Sequence, residues 1–69
     1  MNYRELTKKL RTCGCEFVRA AAGSHEIWWN PANQRFTTVP RHSSRDLAPG
    51  TLRAILRDLG VPKRDFDRT

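Results

Sequence analysis

The sequence has no apolar run near the ~20 residues that a membrane-crossing helix needs, which excludes that kind of span. Met1 to Leu10 carries Arg4, Glu5, Lys8 and Lys9 where a secretory signal requires an apolar stretch, so a cytoplasmic chain without a leader is expected. Cysteine is scarce. Cys13 and Cys15 stand alone around Gly14, and a C-x-C pair closes almost no loop, so it cannot staple a fold. The two histidines, His25 and His42, are not spaced with these cysteines as in a zinc finger. No metal site and no cofactor are expected, and the cysteines read as small apolar side chains in a reducing compartment. There are no repeats, linkers or low-complexity tracts, and 69 residues suffice for one domain over residues 1–69.

Acid is also in short supply. Seven Asp+Glu face thirteen Lys+Arg, for a net charge of +6. Ten of the thirteen cations are Arg, whose planar fork suits phosphate. An anionic partner follows, with nucleic acid preferred over a merely solvated surface. Charge alone gives affinity; it does not say whether the bound polymer is cut.

Hydrophobic residues make up 38% of the chain and mean hydropathy is −0.71, so the core must be economical. Asn2 and Glu5 have the spacing of a capping box, and Tyr3, Leu6, Thr7 and Leu10 fall on one helical face. The first helix is expected over residues 3–13, with Gly14 as its stop. Cys15 to Ala20 alternates as a strand, with Cys15, Phe17 and Arg19 on one side. After the turn Ala21-Ala22-Gly23, a second strand runs from Ser24 to Trp29 and breaks at Asn30-Pro31. Arg35 to Val39 forms the third. Past a polar loop, Pro49 opens a helix whose Leu52, Ile55, Leu56 and Leu59 make an apolar stripe up to Gly60. Phe66 anchors a last short turn. The order α-β-β-β-α predicts an α+β fold, an antiparallel three-stranded sheet with both helices on one face and the other face open.

Gly23-Ser24-His25 begins the second strand. Glycine admits close backbone approach, serine offers a hydroxyl, and histidine trades protons near neutral pH. A tight turn would bring Arg19 near Ser24 or His25. Taken alone, a strand histidine is more often structural than catalytic. His42 lies in the loop after the third strand with Arg41, Ser43, Ser44 and Arg45, all able to hold phosphate oxygens. Trp28 and Trp29 must face opposite ways, and alternation does not say which is in the core. The one on the open side could stack on RNA bases or meet a protein.

These residues together resemble the HicA family of small bacterial toxins, over nearly the whole length. The resemblance rests on Leu10…Gly14, Arg19…Gly23-Ser24-His25, Val39-Pro40-Arg41-His42, Leu47 with Pro49-Gly50-Thr51-Leu52-Arg53, Ile55-Leu56, Leu59-Gly60 and Phe66. It implies a double-stranded-RNA-binding-domain-like fold and an mRNA interferase that cuts RNA without a metal. It further implies that His25 is catalytic, and that a HicB-like antitoxin covers the active surface in a heterocomplex. Arg19, Ser24, Arg41, His42 and Arg45 are then the expected RNA contacts. Cys15 departs from the family, which usually has an aromatic or large apolar residue after the helix-ending glycine, and Phe17 is expected to compensate. A non-catalytic RNA-binding module of the same fold is the alternative reading.

Overall fold

The computed structural model describes residues 1–41 and 45–69. Its elements are α1 (Tyr3–Thr12), β1 (Glu16–Ala20), β2 (His25–Asn30), β3 (Arg35–Pro40), α2 (Pro49–Leu59) and α3 (Lys63–Asp67). The three strands form an antiparallel sheet in the order β1-β2-β3, as expected for this α+β arrangement.

Helix α1 starts where the sequence calls for it. The Glu5 N–H donates to the Asn2 side chain at 2.9 Å, and the Asn2 N–H donates back to the Glu5 carboxylate at 3.2 Å. The helix ends with the Gly14 N–H donating to the Arg11 carbonyl and the Cys15 N–H to that of Leu10. Helix α2 ends in the same way: the Gly60 N–H reaches the Arg57 carbonyl and the Val61 N–H that of Leu56. These are paired Schellman closures, each with an apolar residue brought back onto the helix. Cys15, in the first, is 1% exposed. Phe17 does not fill that space; it lies at the sheet edge, 6.1 Å edge-on from the Trp28 ring.

The two strand faces differ sharply. Glu26, Trp28 and Asn30 of β2 are buried, as are Thr37 and Val39 of β3. Trp28 and Val39 share one core with Leu6 and Leu10 of α1, Ile55, Leu56 and Leu59 of α2, and Phe66 of α3. Both long helices therefore cover one face, and Trp28, not Trp29, is the core tryptophan. Phe66 is fully buried and sits in a helix of five residues where the sequence pointed only to a turn.

Strand β1 departs from its simple alternation. Glu16 pairs with Trp29 and Phe17 with Trp28, but Arg19 pairs with Ile27, because the register slips between Phe17 and Arg19. The bulge admits one extra residue, Val18, and reverses the facing of everything beyond it. Phe17 and Arg19 consequently do not share a side: Phe17 pairs with a core residue and Arg19 joins the open face.

At the far end of the sheet, the β2–β3 turn clasps the end of α2. The side-chain amides of Asn30 and Asn33 both donate to the Leu59 carbonyl at 2.9 Å. Arg35 donates to the Asp58 and Arg57 carbonyls at 2.9 and 3.1 Å. Helix carbonyls that have no partner within the helix are thereby satisfied.

Candidate functional site

The open face is organised by register into rows across the strands. His25 lies opposite Pro40; Ile27 lies between Arg19 and Thr38; Trp29 lies between Glu16 and Phe36. His25 is the first residue of β2 and is exposed. Its backbone is held from both sides. The Ala21 N–H donates to the His25 carbonyl at 2.8 Å, and the Arg41 N–H donates to the neighbouring Ser24 carbonyl at 2.6 Å. Gly23 adopts φ +67°, the left-handed region that disfavours a side chain. A Cβ there would stand 3.9 Å from Nδ1 of His25, so the imidazole folds back beside the glycine.

The expected site residues are placed as follows. Ser24 is exposed in the turn directly before His25. Arg41 extends from the end of β3 beside Ser24, with its side chain 69% exposed. Arg19 is exposed on the same sheet face as His25 but one row along, opposite Ile27, not directly across from Ser24 or His25. Its guanidinium donates to the Ala20 carbonyl at 3.1 Å. Arg45 is exposed, and among the described contacts none joins it to His25. His42 lies outside the described residues, with Ser43 and Ser44. The arrangement groups His25, Ser24 and Arg41 at one end of β2, with Arg19 alongside.

Glu26 was missed by sequence reasoning. It is 6% exposed and faces the helices. One carboxylate oxygen accepts from the Tyr3 hydroxyl at 2.7 Å and from the Trp28 indole N–H at 3.0 Å. The other stands 3.9 Å from Nε of Arg41. Burial, and next the hydrogen bond and charge of Glu26, raise the Tyr3 phenol above 10.0, while Arg41 and Arg11 pull it down. Glu26 shares the parity of Trp28, but only the burial of Trp28 shows that this acid lies on the core face, where it must find donors.

Both cysteines are free thiols. Among the described residues, no group of three or more His, Cys, Asp or Glu side chains is placed to hold a metal ion. Among the same residues, no helix is long and apolar enough to cross a membrane.

Residues 3–61 match the family model described as "HicA toxin of bacterial toxin-antitoxin". Neither the curated proteins nor the solved structures compared with the chain give a match.

Proposed function

The chain belongs to the HicA family, the toxins of bacterial toxin–antitoxin systems, and from that premise we propose that it is an endoribonuclease that cleaves mRNA with His25 as its acid–base residue. The observation that supports this reading most is an exposed imidazole on an open sheet face, tucked against Gly23 and neighboured by Ser24 and Arg41.

RNA supplies its own nucleophile. His25 takes the proton of a ribose 2′-hydroxyl, and that oxygen bonds to the adjacent phosphorus. The bond from phosphorus to the 5′-oxygen breaks, and the imidazolium returns its proton to the leaving oxygen. The products are a 2′,3′-cyclic phosphate and a 5′-hydroxyl. No metal is required, since Arg19, Arg41 and the Ser24 hydroxyl meet the charge on the phosphate. General base catalysis of this kind contributes typically ~10²–10⁴-fold. Arg45 and His42 complete the set of RNA contacts. The reaction belongs in the cytoplasm, with mRNA as substrate.

A HicB-like antitoxin fits as the partner. An acidic surface laid over His25 would complement the net charge of +6, speed encounter and occlude the site. RNA cleavage with metal chelated, by the wild type and by His25→Ala, tests the proposal. The expected result is loss of cleavage with an unchanged circular dichroism spectrum. Cleavage retained by the variant overturns the role of His25; RNA bound intact by the wild type identifies a binding module instead.

A further inference from the structure

The end of the open face opposite His25 carries two aromatic rings beside the exposed Glu16. Trp29 and Phe36 pair across β2 and β3 with ring centroids 5.5 Å apart and planes tilted by 30°. Phe36 is 54% exposed, and Phe17 and Val18 at the bulge are exposed too. These four residues line a shallow groove of about 300 Å³. The Trp29 indole N–H donates to Glu16 at 3.2 Å, so the ring is held in place. Its neighbour Trp28 is fully buried, which leaves Trp29 as the tryptophan that a ligand can reach.

From these observations we propose that the Trp29–Phe36 shelf is a base-stacking subsite for single-stranded RNA, holding a base a few nucleotides from the bond cut at His25. The inference rests on the cleavage reading above and adds a second point of contact to it. Trp29 lies four residues along β2 from His25 on the same face, about 13 Å at ~3.3 Å per residue. Arg19 stands in the row between them. A strand laid along this face meets a proton acceptor, then a guanidinium suited to phosphate, then a pair of rings. Aromatics on an open sheet face stack unpaired bases in other RNA-binding folds, and stacking tolerates any base because each has a π-face. Arg19 in the adjoining row and the net charge of +6 favour a polyanion over an apolar segment of similar area, with Glu16 of the Trp29 row engaged by the indole N–H.

The probe is a 2′-O-methyl single-stranded oligonucleotide, which has no free 2′-hydroxyl and stays intact. Its affinity is measured with wild type, Phe36→Tyr and Phe36→Leu, alongside cleavage of unmodified RNA. Tyr keeps the ring; Leu keeps an apolar side chain but loses the π-face. Wild type and Phe36→Tyr should bind alike and quench tryptophan fluorescence. Phe36→Leu should weaken binding roughly 5- to 150-fold, the loss of one stacked base. Equal binding by all three, with cleavage intact, overturns the shelf and leaves the nuclease reading standing. If Phe36→Leu weakens only the grip of the antitoxin, the groove is a protein contact and the proposal falls. If the wild type neither binds nor cuts RNA, the nuclease reading fails first and takes the subsite with it.

Discussion

At the scale of single residues, the neighbours His25 and Glu26 divide two tasks by pointing to opposite faces. His25 is exposed, while Glu26 lies in the core with two donors on one oxygen. Replacing Glu26 by Ala leaves the buried Trp28 indole unpaired and removes the acceptor of the half-buried Tyr3 hydroxyl, and urea melts should show a loss of about 1–3 kcal/mol for the indole alone. Glu26→Gln retains an acceptor oxygen and should melt closer to wild type. Cys15 gives a prediction in pH. Burial, with a smaller contribution from Cys13, pushes its thiol from 9.0 up to about 11. The folded chain then holds a proton that the unfolded chain has released. That contribution to stability is complete below 9.0 and disappears as pH rises through about 11. Tyr3, also raised, acts in the same direction. Melts in alkaline buffers should lose stability across this window, and Cys15→Ala should flatten the slope. The adjacency of Ser24 and His25 was legible in the chain, but the sequence brought Arg19 to them across the hairpin, whereas strand pairing brings the Arg41 backbone to Ser24 and leaves Arg19 one row along. Glu26 was not legible, since its partner Tyr3 lies 23 positions away and no spacing rule connects them.

At the scale of elements, the helices were readable and the first strand only partly. Capping and periodicity placed α1 and α2 within a residue or so, because each helix carries its own stop. The bulge at Val18 was hidden, as residues 15–20 alternate plausibly without it; pairing with β2 decides the register. Helix α3 is too short for a period to show, so only Phe66 marked it. Gly60 illustrates how a stop is enforced. It has φ +66°, and a Cβ there would lie 2.6 Å from the Asn33 side chain, which is occupied with the Leu59 carbonyl. Gly60→Ala therefore meets both backbone strain and a collision. It should cost at least about 1–2 kcal/mol by thermal or urea melt, the left-handed penalty alone.

At the scale of the whole molecule, the excess of arginine should appear as salt dependence. If Arg19, Arg41 and Arg45 each neutralise one phosphate, the logarithm of RNA affinity should fall against the logarithm of salt with a slope of about −2. Arg19→Ala should make that slope shallower by about 0.7, in titrations of uncleavable single-stranded RNA across a salt series. The charge and the open face were both expected from the sequence; which tryptophan occupies that face required the helices to be in place. The molecule also has two unlike poles. The β2–β3 turn fastens the end of α2 at one pole, and the imidazole sits at the other, outside the packing that holds the chain together. A chain that loses only His25 would keep its shape and nearly all the surface offered to an antitoxin. On the nuclease reading, such a harmless copy would act as a decoy, soaking up inhibitor and leaving active siblings unrestrained.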